Sequence, residues 1–539
     1  MTDGPDSVGS HTWATALEEA AAAFGPRRAF RFEGPDWAAD LTFARWHEST
    51  LIAAAALAGE GVRAGDRIAL LSPGGPVWPV LQTACSHLGA VLVPINVRYR
   101  LDELSFVLAQ AKPRVIVTVE RIRDVSYAEL IARSIPAGLS PSIVLVSRPD
   151  LPLDLPADDS SWGRFLGNGA RSPVPPRASD PDDPVLLQFT SGTTSFPKGA
   201  LLSSRATLLA TWYLGQRMGV TAEDRFFSTQ PFYHVGGSVA TALPPLVHGC
   251  TMIVPERYQV EEVFRLIRSH RCTVRTGQAA MYAMELAHPD FNPADFASVQ
   301  RGWAAGTPRL KQTIVEQMGI SGLISTYGLT ETAGTCTAAD YRDPLEVRLY
   351  TNGPALPGLE VVIAAEGAMV TTPGVRGEVL VRGWALTSGY HADPEATAAA
   401  LDGDGWLHTG DLGYLDERGN LLIVDRLKDM IKPGGENVSA AEVERVIGEL
   451  SGVAQVAVVG MADSRLGEVP AAFVEVAAGR ELGADAVIRH CREAMASFKV
   501  PRRVIFTADW PLTESGKIRK QVLRDRLSQQ EDEFVGKTG

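Results

Sequence analysis

The stretch Val185-Leu-Leu-Gln-Phe-Thr-Ser-Gly-Thr-Thr-Ser-Phe-Pro-Lys-Gly-Ala200 decides how the rest of the chain is interpreted. Its first five residues form a short apolar run, which is typical of a buried parallel strand. A loop of small residues and hydroxyls follows, and no bulky side chain there keeps a phosphate away from backbone N–H groups, hydroxyls and an ammonium. The stretch therefore predicts a phosphate-binding loop, although the Gly-x-x-x-x-Gly-Lys-Ser/Thr pattern of the common P-loop is absent. The candidate phosphate-binding residues are Thr190, Ser191, Gly192, Thr193, Thr194 and Lys198.

Length, charge and cysteine content narrow the class of protein. A chain of 539 residues is too long for one compact core, so two or more domains are expected. The formal net charge of −12 argues against a nucleic-acid-binding surface, which needs clustered Lys and Arg. The five cysteines are scattered without Cys-x-x-Cys spacing, which indicates reduced thiols in a cytosolic compartment. Because the N-terminus is polar and no apolar run reaches about 18 residues, we expect a cytoplasmic protein with neither signal peptide nor membrane span.

Strands alternate with helices through the larger, N-terminal part of the chain. This alternation predicts βαβ units and parallel sheets. The predicted strands are 67–71, 90–94, 115–119, 225–228, 251–254, 272–275 and 322–326, and the predicted helices are 77–88, 102–111, 205–217, 261–269 and 279–287.

Other segments carry different signals. Residues 1–30 are interpreted as a loose arm followed by an alanine-rich helix, and residues 147–184, rich in Pro, Asp, Ser and Gly, as a long surface excursion. From 377–383 onward, short alternating strands and turns predict a β-rich unit, and 413–425 predicts a hairpin.

The last part of the chain predicts a smaller α+β unit. Ser439-Ala-Ala-Glu442 has the spacing of a capping box that opens a helix. Two strands, 454–459 and 471–476, and a helix at 484–496 complete the unit. The predicted fold class is therefore α/β, with a large N-terminal region of βαβ-type sheets, a short β-rich unit and a small C-terminal domain. The predicted domains are 1–425 and 426–539.

Several further strings follow the phosphate loop at intervals. They are Pro231-Phe-Tyr-His-Val-Gly-Gly237, Ala304-Ala-Gly-Thr-Pro308, Tyr327-Gly-Leu-Thr-Glu-Thr332, Trp406-Leu-His-Thr-Gly-Asp411, Asp425-Arg-Leu-Lys-Asp-Met-Ile-Lys-Pro-Gly-Gly-Glu-Asn437 and Pro511-Leu-Thr-Glu-Ser-Gly-Lys-Ile-Arg-Lys520. Together with the loop they resemble the adenylate-forming superfamily, which contains acyl-CoA synthetases, peptide-synthetase adenylation domains and luciferases. The resemblance extends from about residue 30 to about residue 525.

The resemblance implies roles for residues of the larger domain. Gly306 and Tyr327 enclose adenine, and the Tyr327 ring offers a face for stacking. Thr330 is suited to hydrogen-bonding a phosphate, and Glu331 to holding Mg²⁺, which takes carboxylate and phosphate oxygens together. His234 borders the carboxylate site and helps to gate it.

The resemblance also implies roles for residues near and beyond the domain boundary. Asp411 and Arg426 bind the ribose hydroxyls, and Lys428 is the hinge of a mobile small domain. Lys517 stabilises the charge that builds on the α-phosphate as pyrophosphate leaves. After the small domain rotates, a thioester-forming face approaches the active site. The residues of that face are Lys432, Gly434 and Gly435.

The expected activity is that of an AMP-forming acyl-CoA synthetase using ATP, Mg²⁺ and CoA. Amino-acid activation is not expected, because the stretch around His234 lacks the Phe-Asp-x-Ser signature that holds an α-ammonium. The segments expected to line the acyl pocket, 235–240, 278–281 and 332–335, are mostly small, which favours a bulky apolar or ring-containing acid. Arg275 is expected to lie outside this pocket.

Three residues depart from the pattern of the superfamily. Ser195 and Ala305 stand where relatives commonly have glycine, and Ala440 stands where they commonly have proline. Because the first two bear on ATP, one alternative is an enzyme that mainly forms thioesters from an acyl-adenylate made elsewhere. Acyl transfer to a carrier protein, a luciferase-like oxygenase, an ATP-binding protein without catalysis and a homodimer also stay open.

Overall fold

The computed structural model describes residues 4–122, 125–146, 161–190, 197–433, 438–463, 465–512 and 517–535. By contacts within the chain these residues fall into two compact units. The first comprises residues 1–361 and 381–407, and the second comprises 362–380 and 408–539. This division follows contacts alone, so the predicted domain boundary between Asp425 and Arg426 stays a prediction.

The first unit contains a seven-stranded sheet. Six of its strands run parallel to one another, with Phe226 opposite Val274 and Trp303 opposite Ile324 in register. The edge strand Ala38–Thr42 is antiparallel to its neighbour. In sheet order the strands are Gly322–Ile324, Arg301–Ala304, Val274–Gly277, Arg225–Ser228, Thr251–Pro255, Arg28–Glu33 and Ala38–Thr42.

A six-stranded sheet in the same unit carries the phosphate-loop strand. Its strands are parallel apart from Lys198–Ser203, which returns antiparallel beside Pro184–Thr190. The strand before the loop is buried over Val185–Phe189, as expected of a continuous apolar run in a parallel sheet. In sheet order the strands are Lys198–Ser203, Pro184–Thr190, Val91–Pro94, Arg67–Leu71, Val115–Val119 and Ser142–Val146.

Helices connect and cover these strands. Their apolar faces build the core, as in the cluster around Phe227, Tyr282 and Phe296. The α-helices of the first unit are Pro5–Gly9, Trp13–Phe24, Phe43–Gly59, Val77–Leu88, Leu101–Ala111, Tyr127–Ser134, Ser161–Ala170, Ser204–Met218, Val235–Ser238, Pro244–His248, Val260–His270, Ala279–Ala287, Pro308–Thr313, Leu345–Tyr350 and Pro394–Ala400. Short elements complete the unit: the strand pairs Arg121–Ile122 with Val125–Ser126 and Thr326–Tyr327 with Thr337–Ala338, and the helical turns Pro293–Phe296, Ile314–Met318 and Thr330–Thr332.

Two predictions about the first unit are wrong. Residues 5–9 form a helix with Val8 buried, so the described part of the N-terminal arm is packed and not loose. The excursion predicted for 147–184 contains the helix Ser161–Ala170, which packs on Phe43–Gly59 and buries Trp162. Residues 147–160 lie outside the described part of the chain.

The second unit contains most of a five-stranded sheet, a three-stranded sheet and three described α-helices. The strand order of its five-stranded sheet is Ala368–Val370, Leu359–Ala365, Gly377–Gly383, Leu407–Leu415 and Leu421–Arg426, the last two being the predicted hairpin. The three-stranded sheet consists of Val453–Asp463, Gly467–Val476 and Arg503–Phe506, with the α-helices Ala440–Gly448, Ala484–Ala494 and Lys520–Val535 and the 3₁₀ turns Leu427–Asp429 and Ser497–Lys499.

The helix Ala440–Gly448 begins where it was predicted to begin, and the Ser439 hydrogen bond of the predicted capping box is present. Ser439 Oγ accepts from the Glu442 amide at 3.1 Å, which satisfies one of the free N–H groups of the first turn. The Glu442 carboxylate instead accepts from Lys499 Nζ at 2.7 Å. The predicted α/β class with a small C-terminal domain is confirmed, and the mobility of that domain stays a prediction. None of the described helices has the length and apolar character needed to cross a bilayer.

Candidate active site

The two ends of the phosphate loop meet at the edge of the six-stranded sheet. Thr190 ends one strand and Lys198 begins the next, and the two residues are directly opposite in antiparallel register. Thr190 Oγ1 donates to the Lys198 carbonyl oxygen at 3.3 Å. This pairing fixes where the loop leaves and re-enters the sheet. The predicted loop residues Ser191, Gly192, Thr193 and Thr194, and the substituted Ser195, lie outside the described residues.

The predicted metal ligand Glu331 stands on the single 3₁₀ turn Thr330–Thr332. The turn is held by the Leu329 amide, which donates to Thr332 Oγ1 at 2.8 Å. Gly328 is needed just before it, because a β-carbon there would lie 2.4 Å from the Gly334 carbonyl oxygen. Local packing therefore presents Thr330 and Glu331 side by side.

Tyr390, which belongs to none of the predicted motifs, contacts both Lys198 and Glu331. Its hydroxyl donates to Glu331 Oε1 at 2.6 Å, and Lys198 Nζ lies 5.2 Å from the centre of its ring. The segment that carries Tyr390 is paired with the strand after the loop, since the His391 amide donates to the Gly199 carbonyl oxygen at 2.8 Å. Two residues predicted from separate strings are thus brought to one tyrosine.

The predicted adenine segment follows the strand Arg301–Ala304. Gly306 has a φ of +123° and an added β-carbon would lie 3.0 Å from Ala279 Cβ, so both backbone and packing require glycine there. Tyr327 lies on the short strand Thr326–Tyr327, whose partner strand begins at Thr337.

His234 caps the short helix Val235–Ser238. Its Nδ1 accepts from the Gly236 amide at 3.2 Å. The turn is tied to the phosphate-loop strand by Gln188, whose Nε2 donates to the Tyr233 carbonyl oxygen at 2.8 Å and whose Oε1 accepts from Ser238 Oγ at 3.0 Å. Gln188 is fully buried in the strand, so it fixes the position of the His234 turn relative to the loop. Its polarity within an apolar run was the one sequence signal for this role.

Asp411 and Arg426, the predicted ribose ligands, form an ion pair in the second unit. Arg426 Nε donates to Asp411 Oδ1 at 2.8 Å, and the Asp411 side chain is 5% exposed. The turn before Asp411 is held by Glu378, whose Oε1 accepts from the Gly410 amide at 3.0 Å. Gly410 has a φ of +69°, which glycine adopts without strain. The carboxylate is therefore fixed by its neighbours.

Lys517 lies near this ion pair, within the same unit. The residue as a whole is exposed, but burial of its ammonium and the charge of Arg426 lower the pKa of Lys517, while the charge of Asp411 raises it. Three predicted site residues, Asp411, Arg426 and Lys517, are thus close enough to influence one another electrostatically.

The predicted thioester-forming face is described in part. Lys432 is exposed, and its amide donates to Glu468 Oε2 at 2.9 Å. Gly434 and Gly435 lie outside the described residues, as does the side chain of the predicted hinge residue Lys428. The roles given to these residues stay predictions.

Arg275 is fully buried and pairs with Glu285. Its Nη2 donates to Glu285 Oε1 at 2.5 Å, and its guanidinium lies over the Tyr282 ring. Burial raises the pKa of Glu285, and the nearby guanidinium opposes that shift. Arg275 is therefore engaged by a carboxylate of its own chain, which supports the expectation that it does not bind substrate.

The donor set around Glu331 suits Mg²⁺ bound together with phosphate. In the described residues there is no cluster of three His, Cys, Asp or Glu side chains that would enclose a metal ion. Mg²⁺ is commonly held by one or two carboxylates plus substrate phosphates, and Glu331 provides one carboxylate whose Oε1 is already oriented by Tyr390.

Comparisons with known proteins identify the family of the chain. The family model described as AMP-binding enzyme matches residues 17–391, and that of the AMP-binding enzyme C-terminal domain matches 442–517. A 3-[(3aS,4S,7aS)-7a-methyl-1,5-dioxo-octahydro-1H-inden-4-yl]propanoyl:CoA ligase of Rhodococcus jostii is 36% identical, over 97% of this chain and 99% of the relative. The protein of that name in Mycobacterium tuberculosis is 38% identical, over 88% of this chain and 91% of its own.

Solved structures share the fold over nearly the whole chain. ATP-bound MatB from Rhodopseudomonas palustris superposes with a TM-score of 0.83 at 25% identity, covering 96% of this chain and 99% of its own. The anthranilate CoA ligase AuaEII in complex with anthranoyl-AMP has a TM-score of 0.85 at 24% identity, covering 97% and 98%. Family, relatives and fold coincide with the predicted motifs, and the chain therefore belongs to the AMP-binding enzyme family of the adenylate-forming superfamily, as an AMP-forming acid–thiol ligase.

Proposed function

We propose that this acyl-CoA ligase activates a bulky apolar or ring-containing carboxylic acid. In the first step a carboxylate oxygen attacks the α-phosphorus of ATP, and pyrophosphate leaves from an acyl-adenylate. In the second step the thiol of CoA attacks the acyl carbon and AMP leaves. The first step replaces oxide, a very poor leaving group, with AMP.

The choice of acid rests on one observation: small residues of the predicted pocket-lining segments lie in contact beside the His234 turn. A β-carbon added to Gly334 would come within 3.4 Å of Val235 Cγ2, so two of the predicted pocket-lining segments are in contact. The third segment is anchored by Thr229 Oγ1, which donates to Met281 Sδ at 3.2 Å. Small side chains at such a junction leave room for a wide acyl group.

The two relatives named above support this choice. Both are ligases of a propanoyl group attached to a fused, methyl-bearing ring system, as their names state. The medium-chain acyl-CoA ligase ACSF2 of Danio rerio, by contrast, is 32% identical over 91% of this chain. The acids in these names have a propanoyl arm on a bulky fused ring that carries two oxo groups, and a roomy pocket beside His234 would accept a group of that width.

The residues of the first unit are assigned to the phosphates of ATP. Lys198 and the hydroxyl of Thr190 would approach the phosphate oxygens, together with the loop between them. Glu331 would hold Mg²⁺, which when bound neutralises phosphate charge and orients the transferring group. Thr330, beside it, would donate to a phosphate oxygen, while Tyr327 would stack on adenine.

Residues of the second unit are assigned to the ribose of ATP and to the charge that develops on the α-phosphate. Asp411 would accept from both ribose hydroxyls, because the ion pair with Arg426 and the turn before it hold its carboxylate in place. Lys517 would donate to the α-phosphate as pyrophosphate departs. Rotation about Lys428 would then withdraw Lys517 and bring the face of Lys432, Gly434 and Gly435 to the acyl-adenylate.

A panel of acids tests this proposal. Purified protein would be incubated with ATP, Mg²⁺ and CoA together with fused-ring propanoic acids, aromatic acids, medium-chain acids and acetate, and AMP release would be measured. The ring-bearing acids should give the highest kcat/KM. Activity confined to acetate would refute the proposed roomy pocket, and hydroxamate trapping would show whether the acyl-adenylate forms.

Parallel reactions identify the acyl acceptor and test whether the protein carries out the adenylation step itself. If the thioester forms on a phosphopantetheinyl carrier protein but not on free CoA, the acyl acceptor is the carrier protein and not CoA. Turnover of synthetic acyl-adenylate with CoA, without pyrophosphate exchange, would instead identify an enzyme that mainly forms thioesters.

A further inference from the structure

The side chain of Tyr390 has two polar neighbours, one on its ring and one on its hydroxyl. Lys198 Nζ lies 5.2 Å from the ring centre, a distance at which an ammonium is attracted to the aromatic face. The hydroxyl donates to Glu331 Oε1 at 2.6 Å, the ordinary length of the strong bond between a hydroxyl and a carboxylate. No prediction from the sequence assigned any role to this residue.

The bond from the Tyr390 hydroxyl occupies one of the two oxygens of the Glu331 carboxylate. A donor on Oε1 fixes the orientation of the carboxylate, and Oε2 is left for another partner.

The backbone around Tyr390 is held by bonds that do not involve its side chain. The Leu201 amide donates to the Gly389 carbonyl oxygen at 3.0 Å, and the Tyr390 amide donates to Thr397 Oγ1 at 2.9 Å. The segment is also fixed at Thr387, whose amide donates to the Glu331 carbonyl oxygen at 2.7 Å. Changes of the Tyr390 side chain can therefore be made with these bonds in place.

We propose that Tyr390 is a positioning residue that sets the ammonium of Lys198 and the carboxylate of Glu331 in a fixed relation, so that one binds phosphate and the other Mg²⁺ on the same nucleotide. This inference rests on the proposed function. It separates two contributions of one side chain: the ring acts on Lys198 and the hydroxyl acts on Glu331.

Two variants separate the two contributions. Tyr390→Phe keeps the ring and removes the hydroxyl, whereas Tyr390→Leu removes both. Tyr350→Phe is the matched control, because Tyr350 is exposed and its hydroxyl donates to Gln312, outside this group of contacts. For each protein, ATP binding would be measured by calorimetry with and without Mg²⁺, and adenylation would be followed as a function of Mg²⁺ concentration.

The expected results differ between the variants. Tyr390→Phe should bind ATP without Mg²⁺ within about twofold of the parent, but should need about tenfold more Mg²⁺ for half-maximal enhancement of ATP binding, because a bond to a charged group is lost. Tyr390→Leu should show the same change and in addition bind Mg²⁺-free ATP about threefold to tenfold more weakly, because the aromatic face is lost. Both variants should convert synthetic acyl-adenylate and CoA to thioester at the parental rate.

Other outcomes would overturn the inference. An unchanged or lower Mg²⁺ requirement in Tyr390→Phe would show that the hydroxyl does not position Glu331. Equal Mg²⁺-free ATP affinity in the two variants would show that the ring does not act on Lys198. If the Leu variant does not fold, Lys198→Met is introduced into the parent and into Tyr390→Phe instead. The binding of Mg²⁺-free ATP by these two proteins is then compared. The binding measurements remain decisive even if the parent forms no AMP with any acid, an outcome that refutes the proposed function alone.

Discussion

A buried lysine behind the adenine segment gives the stability of this protein an unusual dependence on pH. Lys311 lies on the helix Pro308–Thr313, is 5% exposed, and its Nζ donates to Ser325 Oγ at 2.5 Å. Ser325 Oγ in turn donates to the Arg348 carbonyl oxygen at 2.6 Å. Among the described residues no carboxylate forms an ion pair with Lys311. Burial therefore acts almost alone, and it lowers the pKa of Lys311 to about 8 from an ordinary value of 10.5.

The size and sign of the effect follow from the two pKa values. Each pKa unit corresponds to about 1.4 kcal/mol, so the charged side chain makes the folded state less stable by about 3 kcal/mol at neutral pH. Above pH 8 the folded state releases its proton while the unfolded state keeps it, and stability rises with pH until about 10.5. For a unit of roughly 390 residues the full change amounts to a shift in Tm of about 4 °C.

The comparison of Lys311→Met with the parent isolates this contribution, because all other titrating groups are common to both proteins. The Tm of the variant minus that of the parent should be largest near pH 7 and should fall by about 4 °C between pH 8 and 10.5. Lys112→Met, at an exposed lysine, should give a difference that stays constant over the same range. A constant difference for Lys311→Met as well would show that its ammonium is hydrated in the folded state and would refute the reasoning.

Three further substitutions test other parts of the structure. Lys517→Ala should lower the rate of acyl-adenylate formation by about 10²–10³-fold and leave thioester formation from synthetic acyl-adenylate intact, and equal losses in the two half-reactions would contradict the role given to this lysine. Arg275→Met should lower the free energy of unfolding by about 3–5 kcal/mol in denaturant titrations, because it leaves the Glu285 carboxylate buried without its partner, whereas adding Glu285→Gln should restore part of the loss. Gly306→Ala should raise the KM for ATP while the rate with saturating acyl-adenylate and CoA is kept, because the substitution strains a φ of +123° beside Ala279; an unchanged KM would separate this turn from the adenine site.

Much of the fold could be predicted from the sequence because strands and helices alternate with clear periodicity. The predicted helices 77–88 and 279–287 agree with the structure to the residue. The helix Ser161–Ala170 was missed because its three glycines were taken as loop signals. The structure shows why one of them is present: a β-carbon on Gly169 would lie 2.2 Å from the Ile52 carbonyl oxygen, so the helix approaches its neighbour more closely than a larger residue allows. Such a tertiary contact leaves no local signal.

Site residues that belong to a contiguous sequence motif could be predicted. Site residues that are placed by pairing between distant segments could not. Lys198 and Glu331 each belong to a recognisable string, whereas Tyr390 follows a glycine in a stretch with no such pattern. Its place between them arises from the antiparallel bridge between Ala200 and Tyr390. Gln188 is a similar case, since its role depends on the turn at Tyr233, 45 residues further along the chain.

The neighbouring positions Ala305 and Gly306 bear on whether the chain carries out both half-reactions. The alternative of weakened adenylation depends on side chains at positions where relatives commonly have glycine. The strained backbone falls on Gly306, whereas Ala305 is not among the residues with positive φ and its amide donates to the Gly277 carbonyl oxygen at 3.2 Å. A β-carbon at position 305 is thus compatible with the turn, because L-residues adopt such a backbone without strain. Of the two substitutions near ATP, only Ser195, outside the described residues, still supports the alternative, and the balance favours a ligase that makes its own acyl-adenylate.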